Sequence, residues 1–260
     1  MRLRIQRYEP GRDAAPTYQE YDVSDNPGQT VLGALFEIQD TQDGSLAFRY
    51  SCRGAVCGSC AMLINKVPRL ACRTQIKEVM GAKPPALRAF GPLDGEAEGW
   101  DPETEVLVEP LPNFPVTRDL VVDMTRFWDA LDEVEPWLVP EGEPPKGRER
   151  LMEHEEVARL ERLVGCVLCG LCNGSCPIVH EDQEFLGPAS LAKARRFYED
   201  PRDMRRDGII EMLNNEEGIR GCDLIYNCVK VCPRNVAPGG AIRKMKEDAE
   251  RLPNLNNVGV

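Results

Sequence analysis

The sequence predicts an α+β protein of two domains, a sheet-rich N-terminal one and an all-helical C-terminal one. Three observations predict it. Short stretches of alternating polarity fill the first hundred or so residues, the proline-rich "EPLPNFPVTRD" follows, and helical periodicity dominates beyond. The change of regime places the domains at residues 1–113 and 114–260.

In the first domain, "LRIQRY" and "QEYDV" alternate as strands do. A helix is expected from Thr30 to Asp40, with Thr30 as its N-cap. "AMLIN" and "EVLVEP" read as further strands, and the loop "SCRGAVCGSC" lies between the helix and "AMLIN". In the second domain, Asp119 is placed to cap a helix through "LVVDMTRFWDALDEVEPWL". Val121, Met124, Trp128, Leu131 and Leu138 recur there at helical spacing, which assigns Trp128 to the core. "PEGEPPKG" reads as an exposed loop and "RERLMEHEEVARLERLVG" as a helix. "GPASLAKARRFYED", with Pro188 near its first position, "RRDGIIEMLNNEEG" and "AIRKMKEDAE" read as further helices with solvated charged faces.

Charge and composition exclude several functions. A net charge of −11 argues against nucleic acid or anionic lipid as the main partner. No apolar stretch approaches the roughly 20 residues of a membrane span. "MRLRIQRYEP" has no apolar signal core, so the chain is expected to be soluble and intracellular. Two histidines leave little for His-based catalysis. No nucleophile–base pair, acid–base pair or Gly-rich nucleotide loop stands out, and no catalytic residue is assigned.

The 11 cysteines carry the chemistry. An odd number cannot pair off as disulfides, and all of them are clustered. Cys52, Cys57 and Cys60 are spaced C-x4-C-x2-C, with Cys72 further on, the plant-type [2Fe–2S] pattern. Gly54 and Gly58 allow the loop's N–H groups to approach the sulfurs, and Arg53 adds positive charge beside them. A zinc ribbon is the competing reading, but it needs two C-x2-C knuckles and only Cys57 and Cys60 form one. Cys166, Cys169, Cys172 and Cys176 precede Pro177 in an intact C-x2-C-x2-C-x3-C-P run, too tightly spaced for one tetrahedral zinc ion. The second run, Cys222, Cys228 and Cys232 before Pro233, has Ile225 where its second cysteine belongs. In two-cluster ferredoxins the fourth cysteine of each run serves the other run's cluster. Cys166, Cys169, Cys172 and Cys232 then hold a [4Fe–4S] cluster, and Cys176, Cys222 and Cys228 a [3Fe–4S] cluster with Ile225 at the vacant ligand position. Three one-electron centres describe a wire whose partners perform the substrate chemistry. Ligand-linked folding makes the cluster-free chain unstable.

These features resemble the iron–sulfur subunit of succinate dehydrogenase and quinol:fumarate reductase. "SCRGAVCGSC", "PLPNFPVTRDLVVDM", "CGLCNGSCP", "FLGPASLAKARRF" and "NCVKVCPRNVAP" carry the resemblance over nearly the whole chain. It implies a plant-type ferredoxin (β-grasp) domain followed by an all-α bacterial-ferredoxin-like domain. It implies a flavoprotein partner whose covalent FAD interconverts succinate and fumarate. It also implies a membrane anchor, often with haem b, that handles quinone. The chain itself would lie peripherally on the cytoplasmic face of the inner (cell) membrane. In family members the quinone pocket draws tryptophan from the segment after the first C-P and a histidine just after the second run's first cysteine. Here those positions hold His180 and Glu181, and Asp223, which are the quinone-side candidates. His154 reads as a surface residue. Related subunits of glycolate, glycerol-3-phosphate and thiol-linked fumarate enzymes are the alternative, with two four-iron clusters against which Ile225 argues.

Overall fold

The computed structural model describes residues 1–94, 97 and 99–252. The chain forms two compact units. One comprises Met1–Met124 together with Val167–Pro177; the other comprises Thr125–Cys166 and the described residues from Ile178 onward. The first unit therefore runs on past Asn113 and takes in most of the first cysteine run, which the linear reading gave to the second domain.

The first unit is built on β1 (Arg2–Arg7), β2 (Thr17–Asp22), α1 (Val31–Thr41), β3 (Ala61–Ile64), β4 (Val67–Leu70), α2 (Ile76–Val79) and β5 (Glu105–Glu109). The sheet order is β2-β1-β5-β3-β4, with β1 parallel to β5 and the other pairs antiparallel. Alternation places Leu3 and Ile5 in the core, while β5 is buried along its whole length. The helix forms where expected: the Thr30 hydroxyl accepts from the Gly33 N–H at 3.1 Å, and Val31, Leu32, Ala34, Leu35 and Ile38 form its buried face.

The β3–β4 hairpin closes on Asn65 and Lys66, at φ 47° and 60°, the left-handed pair that matches strand twist. Asn65 is fixed there by both ends of its amide. Its Oδ1 accepts from Leu107 N at 2.8 Å and its Nδ2 donates to Val79 O at 2.9 Å.

Asp119 does not cap a helix. It sits at φ 48° between β6 (Val116–Arg118) and β7 (Val121–Val122), and it is buried. Its carboxylate accepts from Arg7 Nε at 3.1 Å, Tyr8 N at 3.2 Å and Ala47 N at 3.0 Å. Three donors from distant sequence outbid a local cap, which periodicity cannot foresee. The helix begins only with α3 (Thr125–Glu133). Val121, Met124 and Leu138 therefore fall outside it. Phe127, Ala130 and Leu131 form its buried face, so Leu131 is in the core as read, whereas Trp128 is 43% exposed.

The second unit is helical. It contains α3, α4 (His154–Val164), most of α6 (Pro177–Glu181), α7 (Gly187–Tyr198), α8 (Arg206–Leu213), α9 (Asn227–Lys230) and α10 (Pro238–Arg251), whereas α5 (Leu171–Gly174) belongs to the first. α4 starts at a capping box made by Glu153 and Glu156, so "RERLM" stays outside it. Pro188 stands in the first turn of α7, as read, and α10 packs on α7. The Glu135–Val139 segment is held by Asp203 and Arg205. Val139 N donates to Asp203 Oδ2 at 3.3 Å, and Arg205 donates to Glu135 Oε2 at 2.8 Å and Trp137 O at 2.5 Å.

Candidate iron–sulfur centres

Cys52, Cys57, Cys60 and Cys72 come together in the first unit, and the sheet is what joins them. Ala61 pairs with Leu70 across the β3–β4 hairpin, and Ala71 N donates to Cys60 O at 3.0 Å, so Cys72 arrives beside Cys60. Arg53, Ala55 and Gly58 adopt φ of 54°, 57° and 76°, which turns successive N–H groups inward. Gly54, Val56 and Cys57 donate to Cys52 Sγ at 3.4, 3.3 and 3.3 Å. Cys52 N donates to Cys57 Sγ at 3.4 Å, Ala55 N to Cys72 Sγ at 3.2 Å, and Cys72 N to Cys60 Sγ at 3.4 Å. Donors aimed at all four sulfurs are what anionic thiolates of a [2Fe–2S] cluster require, so the residues present fit that group. Among the described residues, no group of three or more His, Cys, Asp or Glu side chains is arranged for a single metal ion.

Two neighbouring thiols of the set, Cys57 and Cys60, are pushed in opposite directions. A hydrogen bond from Ser59 leads the causes that hold Cys57 down to about 6, whereas burial pushes Cys60 up to about 12. Arg53 is exposed, with its guanidinium carbon 4.4 Å from the Phe36 ring centre and 5.4 Å from that of Tyr50. The aromatic pair keeps that positive charge at the loop.

The two C-terminal runs share one backbone. Leu168 (φ 52°) and Gly170 (φ 77°) flank Cys169, and α5 begins at the next residue. Leu224 (φ 54°) and Tyr226 (φ 64°) flank Ile225, and α9 begins at the next residue. Ile225 thus occupies in its run the position that Cys169 occupies in the other. Its side chain is half-buried.

Cys169, Cys172 and Cys176 lie in the first unit; Cys166, Cys222, Cys228 and Cys232 lie in the second. Within the first unit, Asn113 Nδ2 donates to Asn173 O at 2.8 Å and Cys176 O at 2.9 Å, anchoring the run. Gly58 meets Cys169 so closely that a Cβ on it would stand 2.7 Å from the cysteine's own. Within the second, Cys166 and Cys232 pack on the same cluster of Leu163, Ala192, Val236 and Ala241. Val236 N donates to Cys232 Sγ at 3.3 Å. Gly239 opens the start of α10 to Cys228, whose sulfur would lie 3.3 Å from any Cβ there. Lys246 Nζ donates to Cys222 O at 2.7 Å and Arg220 O at 3.2 Å. Burial pushes the Cys222 thiol up, while the Leu224 N–H and the Lys246 ammonium act the other way.

Asn113, Gly58's approach to Cys169, and Lys246 were invisible to sequence reasoning. Each partner is distant along the chain, and Lys246 looks like any cation on an amphipathic helix. His180 and Glu181, at the end of α6, are exposed, as are Asp223 and His154.

A family model described as a 2Fe-2S iron-sulfur cluster binding domain matches residues 2–129, and one described as a 4Fe-4S dicluster domain matches residues 162–236. The fumarate reductase iron–sulfur subunit of Escherichia coli is 33% identical over 251 residues, which cover 96% of this chain and 93% of that protein. That of Mycobacterium tuberculosis is 37% identical over 245 residues, 94% of this chain and 90% of its own length. The chain belongs to the succinate dehydrogenase and fumarate reductase iron–sulfur subunits. A chain of the Mycobacterium smegmatis Sdh1 complex in the apo form superposes on this iron–sulfur subunit with a TM-score of 0.76, at 29% identity over 97% of this chain and 98% of the other. The α+β architecture of a plant-type ferredoxin domain and a helical bacterial-ferredoxin-like domain is thereby shown. So is its role, electron transfer within an oxidoreductase complex.

Proposed function

We propose that this iron–sulfur subunit relays single electrons between the FAD of a flavoprotein that interconverts succinate and fumarate and a quinone at a haem b-bearing membrane anchor. Cys52, Cys57, Cys60 and Cys72 hold [2Fe–2S]; Cys166, Cys169, Cys172 and Cys232 hold [4Fe–4S]; Cys176, Cys222 and Cys228 hold [3Fe–4S]. Bound clusters supply reversible one-electron chemistry. The chain's own residues set its terms. The inward N–H groups of the Cys52–Cys60 loop and the positive charges of Arg53 and Lys246 favour added negative charge. The packing of Cys166 and Cys232 on one apolar cluster supports the crosswise four-iron set.

The observation that carries the reading is the left-handed pair Leu224 and Tyr226 around Ile225. It supports the register in which Ile225 stands where one cluster ligand would be. His180, Glu181 and Asp223 are assigned to the quinone side; all three are exposed. The subunit is assigned a peripheral place at the cytoplasmic face of the membrane; among the described residues no helix is long and apolar enough to cross one.

Iron and acid-labile sulfide analysis tests the cluster set: about nine irons and about ten sulfides per chain are expected. Absence of labile sulfide, with stoichiometric zinc, would replace it with a zinc module. Mass spectrometry of the co-purifying flavoprotein tests the partner, and an oxidase of another substrate would redirect the assignment.

A further inference from the structure

A cavity of about 210 Å³ opens between α4, α7 and α10 of the helical unit. Its rim carries Arg159 and Arg162 from α4 and Arg243 and Lys244 from α10, all exposed. Arg243 is paired with Glu247 at 2.6 Å. Arg159, Arg162 and Lys244 have no ion-pair partner among the described residues. That is unexpected in a chain with 43 acidic and 32 basic residues, where acids are in surplus for pairing. The one acid in the lining, Glu199, is already engaged by Arg195 beneath the rim, which also holds Asp248.

The floor is apolar, formed by Leu163, Val236 and Ala241. Gly240 and Ala241 belong to the first turn of α10, a 14-residue helix whose N-terminus favours negative charge. The cavity is below the roughly 300–1,000 Å³ of sites for drug-sized ligands, and matches a small anionic group. Unpaired guanidinium forks over an apolar floor suit a phosphoryl oxygen set with an ester substituent.

We propose that this cleft binds a phosphate-bearing anion, through Arg159, Arg162 and Lys244. Such an anion has two sources, the headgroup of an anionic phospholipid or a soluble phosphate. The lipid source rests on the peripheral membrane placement proposed above; the phosphate chemistry does not. The charge of −11 repels an anionic surface on average, so attachment needs a local reversal of sign, and the cleft provides one.

The test uses the full chain with its clusters loaded, and two probes. Sedimentation with phosphatidylcholine vesicles doped with phosphatidylglycerol reads the lipid source; titration with inorganic phosphate by calorimetry reads the soluble one. Arg159→Gln with Arg162→Gln is expected to weaken binding about thirty-fold in whichever arm binds. The charge-preserving pair Arg159→Lys with Arg162→Lys is expected to lose less than the Gln pair, because the charge stays while the fork geometry goes. Lys83→Gln with Arg148→Gln, which removes the same charge elsewhere, leaves it unchanged. An unaltered visible spectrum shows that each variant keeps its clusters. Vesicle binding that depends on the cleft supports the site and its lipid source. Phosphate binding without vesicle binding supports the site and removes that source. Binding in neither arm, or equal losses in the cleft and control pairs, overturns the proposal.

Discussion

Ile225 is a hydrocarbon at a position whose backbone is shaped for a ligand, between two left-handed residues. Placing a thiolate there with Ile225→Cys is expected to convert the proposed three-iron centre toward [4Fe–4S] and lower its potential. EPR of the oxidised protein reads this directly: survival of the three-iron signal at full intensity contradicts the register. Asp119 makes a second residue-scale case. Its buried carboxylate accepts from Arg7, Tyr8 and Ala47 at once, so Asp119→Ala leaves the Arg7 Nε–H and two backbone N–H groups without this acceptor, although Arg7 keeps its pairing with Asp43. A loss of about 3 kcal/mol is expected, read as a fall in Tm against the loaded wild-type protein. At this scale the grouping of the cysteines into two cluster-binding regions was legible, because such spacing is short-range and nearly unique. Asn113 and Lys246 were not, because their partners lie 60 and 24 residues away respectively.

At the scale of elements, strands and capped helices could be read wherever local chemistry decides them. Thr30 and Pro188 mark helix starts that the structure keeps. The reading failed where tertiary bonds outrank local ones, as at Asp119, and where a clamp replaces a helix, as at Glu135–Val139. That clamp is sensitive to pH. Burial opposes ionisation of Asp203, but the hydrogen bonds of Arg205 and Val139 outweigh it and hold the carboxyl below the usual carboxylate range. A depressed folded-state pKa contributes stability fully present above the unfolded value near about 4 and lost as pH falls through the folded one. The Tm gap between wild type and Asp203→Asn is therefore expected to be widest at neutral pH and to shrink below about pH 4. A gap that grows on acidification contradicts the assignment.

At the scale of the molecule, two domains and their order were legible from composition, but the return of residues 167–177 into the first unit was not. Periodicity describes consecutive residues, and this return is made by Asn113, by Gly58, and by Gly174, where an added Cβ would lie 2.7 Å from Leu111. Cluster removal is expected to act on the whole, since eleven side chains lose what organises them. Chelation under mild oxidation should lower Tm sharply, and an unchanged Tm would mean that the apolar cores suffice. The contact between Gly58 and Cys169 has a different consequence. Both residues are mounted on one core, so the gap between the first two loops is a manufacturing tolerance of that core. That spacing is therefore set when this unit folds and owes nothing to whatever docks on it later.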